Sequence, residues 1–164
     1  MSEAPQIVNA LSQAEIDAIE AEIRHLPDRQ SAAIEALQIV QAARGWVSDE
    51  SLEAAAKLLD MSSAELDSIA TFYNLIYRQP VGKNVVMVCD SISCFVMHGE
   101  KLRDRVQQHL NVGMGETTAD DLFTLLPIVC LGACDRAPVM MVGDQLFGGA
   151  EVDDLAALFA RFRP

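Results

Sequence analysis

Positive charge is scarce in this chain of 164 residues. Lysine and arginine total 12 against 24 aspartates and glutamates, a net charge of −12 at pH 7. A nucleic-acid binder needs a basic face to neutralise phosphates, and an anionic membrane surface attracts the same groups. Neither partner is expected; a complementary protein fits better. Long apolar runs are also missing. The longest, Leu125 to Ala133, is broken by Pro127 and Gly132 and falls well short of the roughly 20 residues that cross a bilayer. Met1 to Gln6 carries neither the basic nor the apolar segment of a secretory signal, so a cytoplasmic protein without membrane insertion is expected. No G-x-G-x-x-G or P-loop pattern occurs, which argues against a nucleotide or flavin site. No nucleophile–base pairing can be read, so no catalytic residue is assigned. Repeats and low-complexity tracts are absent, and no cysteine precedes residue 89.

What is present suffices for a folded core. Apolar residues make up 51% of the chain, enough for one domain or a domain with a helical appendage. The chain changes character near its midpoint. Ser12-Gln13-Ala14-Glu15 is a capping box that opens a helix carrying Ile16, Ile19 and Ile23, with Pro27 beyond it. A second helix is expected from Ser31 to Arg44, capped by Gly45. Ser48 opens a third, with Leu52, Ala55, Ala56 and Leu59 inward. A second capping box, Ser62-Ser63-Ala64-Glu65, opens a fourth that continues through Leu66, Ile69, Ala70 and Tyr73. Residues 1–77 therefore read as a helical bundle, 78–83 as a linker containing Pro80 and Gly82, and 84–164 as a second domain.

In that second domain Val85 to Cys89 is a short, β-branched apolar run that predicts a buried strand. His98 to Leu110 predicts a helix with Leu102, Val106 and Leu110 on one face. Thr124 to Cys130 predicts another buried strand. Gly143-Asp144 predicts a hairpin turn between Pro138–Val142 and Gln145–Phe147, and Val152 to Phe162 a closing amphipathic helix. Strand, helix, strand, hairpin, helix is the order of a thioredoxin-like sheet, placing the chain in the α/β (α+β) class.

All four cysteines fall in this half, as two pairs. Cys89 and Cys94 form C-x4-C, and Cys130 and Cys134 form C-x3-C after 35 intervening residues. Each pair starts at a predicted strand end. Neighbouring strands would gather four thiolates around one point. Reduced cytoplasmic thiols favour metal ligation over structural disulfides, and four soft anions select zinc or an iron–sulfur cluster. Structural zinc usually takes tighter knuckles, whereas C-x4-C also occurs in plant-type ferredoxins. Three readings stand: a 2Fe–2S electron carrier, a structural zinc module held by four cysteines, and a thiol–disulfide oxidoreductase, which normally uses C-x2-C.

Weaker candidates have simpler explanations. His98 lies four residues after Cys94 and reads as an exposed or capping residue, although histidines replace cysteines in Rieske centres. His25 and His109 fall near helix ends, where their charge is favourable. Trp46 reads as a packing anchor, and Thr71-Phe72-Tyr73 as core.

The cysteine spacing, together with Ile69-Ala70-Thr71-Phe72-Tyr73, Cys89-Asp90-Ser91, Leu131-Gly132-Ala133-Cys134-Asp135 and Ala137-Pro138-Val139-Met140, resembles one family. It is the small 2Fe–2S subunit of the NADH-dehydrogenase module of respiratory complex I, called the E subunit in bacteria. The resemblance runs from about residue 12 to 160 and includes Ile34-Glu35-Ala36-Leu37 and Gly45-Trp46-Val47. Ser93-Cys94-Phe95-Val96-Met97 departs mildly, lacking the proline and leucine-arginine words common in the family. The resemblance implies an N-terminal helical bundle followed by a thioredoxin-like ferredoxin domain. It implies one 2Fe–2S cluster held by Cys89, Cys94, Cys130 and Cys134. It implies a partner subunit carrying FMN and NADH, which trades single electrons with the cluster, and the large iron–sulfur subunit of the same complex. The chain would then be a subunit of an NADH:quinone oxidoreductase in a peripheral arm on the cytoplasmic side of the inner membrane. Subunits of NAD-linked formate dehydrogenases and hydrogenases share the ligand pattern and are the nearest alternative.

Overall fold

A computed structural model describes residues 10–163; Met1–Gln6, the segment without a secretory pattern, lies outside them. The chain divides into two compact units, Met1–Pro80 and Val81–Pro164.

Among the described residues the first unit holds four α-helices, α1 (Gln13–Ile23), α2 (Ala33–Arg44), α3 (Asp49–Leu58) and α4 (Ser63–Phe72). Serine caps set three of the starts. Ser12 and Glu15 satisfy each other's backbone N–H groups, as do Ser62 and Glu65, and the Ser48 hydroxyl accepts from the Ser51 N–H. Gly45, at φ +85°, ends α2 in the left-handed conformation a β-carbon would oppose. A 3₁₀ turn, Gln30–Ala32, leads into α2. The core joins Ile19, Leu37, Val40, Leu52, Leu59 and Leu66 across small alanines at 36, 55 and 70. Trp46 is half-buried, and its neighbour Val47 is the fully buried residue of that turn. Thr71-Phe72-Tyr73 is not core: all three are exposed, Phe72 by 77%. The helix stops at Phe72, Tyr73 turns to an extended conformation, and Ile76 takes the buried place instead.

The second unit is a four-stranded sheet in the order β2-β1-β3-β4, from β1 (Asn84–Cys89), β2 (Phe123–Ile128), β3 (Val139–Val142) and β4 (Gln145–Gly148). β1 and β2 are parallel, with Cys89 opposite Ile128; β3 runs antiparallel to β1, and β4 to β3. The segment after Cys89, for which no helix is predicted, contains a short one, α5 (Ile92–Val96). A parallel pair needs a crossover, supplied here by α6 (Gly99–Leu110). Val86 and Val88 share a core with Leu102, Val106, Phe123, Leu125, Met140 and Phe159. His109, in the last turn of α6, stacks on Phe159 at 5.2 Å.

Two further expectations change. β2 ends at Ile128, not Cys130. The closing helix α7 spans only Leu155–Ala160, because Asp154 caps it by accepting from the Ala157 N–H at 2.9 Å; a 3₁₀ turn, Gly149–Val152, precedes it. Among the described residues no helix is long and apolar enough to cross a membrane.

Candidate metal centre

Parallel pairing brings the C-terminal ends of β1 and β2 to one edge of the sheet, where open α/β sheets hold their ligands. Cys89 is the last residue of β1. The Asp90 N–H donates to the Ile128 carbonyl at 2.8 Å, so the two chains leave the sheet side by side. Cys89 has opposite strand parity to Val86 and Val88 and sits on the other face, packed with Cys94 and Val139. α5 carries Cys94 inward, 1% exposed. Gly99 fixes how α6 starts beneath it. A β-carbon on Gly99 would lie 2.8 Å from the Cys94 carbonyl oxygen, closer than packing allows.

The second pair comes from the loop after β2. Cys130 is exposed, two residues beyond the strand. Gly132 adopts φ +74°, and its N–H donates to the Cys130 Sγ at 3.3 Å. Cys134 opens a 3₁₀ turn, Cys134–Arg136, that leads through the cis Ala137–Pro138 bond into β3.

Burial pushes the Cys94 thiol up to about 11; the Val139 backbone N–H opposes this, while Cys89 and Cys134 push the same way. Cys89 and Cys134 are thus the two sulfurs whose charge acts on Cys94. Cys130 is not among the groups acting on it. Among the described residues no three cysteine, histidine or carboxylate side chains close around one ion. A thiol raised this far is a poor nucleophile at neutral pH, which disfavours disulfide exchange through Cys94. A small cavity of about 60 Å³, lined by Cys89, Phe95, Gly99, Arg103 and Pro127 among others, opens beside the first pair. His98, exposed in the left-handed conformation before α6, makes no capping bond.

Sequence reasoning missed the Gly99 contact and the Val139 N–H. A glycine at the first position of a helix was the available signal for the former; the latter follows only from tertiary placement.

The profile of the thioredoxin-like [2Fe-2S] ferredoxin family matches residues 19–163. The chain belongs to that family. Its cofactor is a 2Fe–2S cluster, and the donor set fits: all four cysteines are unpaired thiols, carried at the end of β1 and on the segments that follow β1 and β2, and the Gly132 N–H donates to the Cys130 Sγ. The chain is 43% identical over 152 residues to the E subunit of the NADH-quinone oxidoreductase of Pseudomonas aeruginosa, covering 93% of this chain and 92% of that one. The E subunit from Escherichia coli is 40% identical over 153 residues, with the same coverage. The fold also matches a chain in the crystal structure of an NAD+-reducing [NiFe]-hydrogenase in the H2-reduced state. The TM-score is 0.62 at 19% identity, over 77% of this chain but only 22% of the hydrogenase chain.

Proposed function

We propose that this chain is the electron-transfer E subunit of an NADH:quinone oxidoreductase, with Cys89, Cys94, Cys130 and Cys134 holding its cluster. The observation that supports this ligand set is the parallel pairing of β1 and β2, with Cys89 opposite Ile128 and the Asp90 N–H on the Ile128 carbonyl at 2.8 Å, so that the segments bearing the two cysteine pairs leave the sheet side by side. When bound, the cluster supplies a one-electron carrier able to serve a flavin on a partner subunit that oxidises NADH. The chain's own residues bind and tune. Cys89 and Cys94 provide dry anchors, Cys130 and Cys134 the solvent-facing ones. The N–H groups of Gly132 and Val139 favour negative charge on sulfur.

Ile92, Phe95, Val96 and Met97 flank Cys94, Val129 precedes Cys130, and all five are exposed. An apolar collar beside the cysteines suits a dry contact with a redox partner and keeps water from the cluster edge. The flavin subunit and the large iron–sulfur subunit are the partners this reading names, within an arm on the cytoplasmic side of the membrane. The test is anaerobic purification followed by iron, zinc and sulfide analysis, with EPR before and after reduction. About two irons and two sulfides per chain, and a signal on reduction, are expected. Zinc without sulfide, in protein expressed with ample iron, would sink the reading.

A further inference from the structure

The residues after α4 form an apolar tip. Phe72, Tyr73 and Leu75 are 77%, 42% and 50% exposed, and the two rings meet edge to face with centroids 5.3 Å apart. Loose chain does not explain this exposure. The Gln41 amide donates to the Leu75 carbonyl at 2.7 Å and accepts from the Tyr77 N–H at 2.6 Å. Arg78 donates to Asp67 at 2.8 Å, to Asp49 at 2.6 Å and to the Val47 carbonyl. Ile76, between the exposed residues and the clamp, is buried. The backbone is thus pinned while three large apolar side chains face water. Rigid aromatic side chains lose little freedom on docking and serve as interface anchors.

Charge identifies what covers the tip. Residues 1–80 hold 13 of the 24 acidic residues but five of the 12 basic ones. Three of those five, Arg29, Arg44 and Arg78, pair with carboxylates of the same unit. The tip therefore projects from an acidic surface. That surface repels an anionic bilayer and a second copy of itself, and attracts a cationic rim.

We propose that Phe72, Tyr73 and Leu75 anchor this chain in an apolar pocket, rimmed by lysine or arginine, on a partner subunit of the same oxidoreductase. This contact uses none of the cysteine loops, and it rests on the reading under Proposed function. The test co-expresses the full chain, or its Phe72→Ser/Leu75→Ser variant, with the other subunits and captures the complex through one of them. The variant, purified alone, should keep the parent's iron, sulfide and circular dichroism. Its retention in the complex should fall about ten-fold or more, and the parent's association should weaken as salt rises. Tyr73→Ser alone should show a smaller loss in the same direction. A variant retained like the parent overturns the anchor and leaves the electron-transfer reading standing. A parent that carries its cluster but is never retained overturns both. Self-association of the parent, abolished in the variant, assigns the tip to a second copy and overturns the proposal.

Discussion

The buried carboxylate of the helical unit and the sulfurs of the sheet unit are met by different means. In the helical unit the work falls to charged side chains. Arg44 donates to both oxygens of buried Glu15 at 2.6 and 2.8 Å and reaches the Ser51 hydroxyl at 3.2 Å. Arg78 ties two carboxylates and a carbonyl together. In the sheet unit, sulfur is met by backbone N–H groups, at Gly132 and Val139, fixed by loop geometry and strand pairing. Side-chain ion pairs titrate and respond to salt; oriented amides do neither. Acid and salt should therefore act on the Glu15–Arg44 pair, while the cysteine loops should respond to changes in backbone shape.

The largest effect is expected where ligand chemistry itself is changed. Cys94→Ser removes the most buried of the four sulfurs. Iron and sulfide per chain should fall more than about ten-fold while the helical signal in circular dichroism persists. Undiminished cluster content would strike Cys94 from the ligand set. Gly99→Val comes next and leaves every sulfur in place. Its side chain would press on the Cys94 carbonyl from 2.8 Å, and shifting α5 should cost about 2–3 kcal/mol. Reduced cluster retention and a lower melting temperature are the readouts. A variant that matches the parent in both would mean that the approach of α6 to α5 does not set the site.

Glu15 tests the other side of the contrast. The Arg44 guanidinium holds its carboxyl down to about 2, against an ordinary value of 4.5, with burial opposing. A carboxylate depressed in the folded state stabilises fully above its unfolded value, and that contribution is lost as pH falls from about 4.5 towards 2. It amounts to no more than about 3 kcal/mol. Glu15→Gln should cost about 2 kcal/mol near neutrality and flatten the acid limb of a stability–pH curve. An unchanged acid limb would mean that the pair holds no net stability.

These contrasts also explain what was legible beforehand. Serine caps, Gly45 and the Gly143-Asp144 turn are local devices, and the structure places all of them where the spacing predicts. The neighbouring placement of β1 and β2 follows the expected order, whereas the edge position of β2, which tolerates Pro127, comes from the sheet topology. α5 was not legible: five residues with no side-chain cap bond hold a helix because Cys94 is packed against Cys89 and Val139. Phe72 was misread for a related reason. Helical spacing identifies an apolar face but does not distinguish a core from a surface left for another protein.

The smallest expected effect separates local from tertiary control. Ser62 and Glu65 close α4 by reciprocal hydrogen bonds, Ser62 Oγ accepting the Glu65 N–H at 3.2 Å and Glu65 Oε2 accepting the Ser62 N–H at 2.9 Å. Both residues are exposed, and the hydroxyl also donates to the carboxylate at 2.7 Å. Ser62→Ala removes the side-chain half of the box and leaves the core contacts of Leu66 and Ala70 intact. The cost should be about 1 kcal/mol, seen as a shift in denaturant midpoint without a change in slope. Cluster content should not move, because α4 belongs to the helical unit and no cysteine lies within it. A fall in iron content would show that α4 and the cysteine loops are energetically coupled, and the treatment of the helical unit and the cysteine site as separately held would then have to be abandoned.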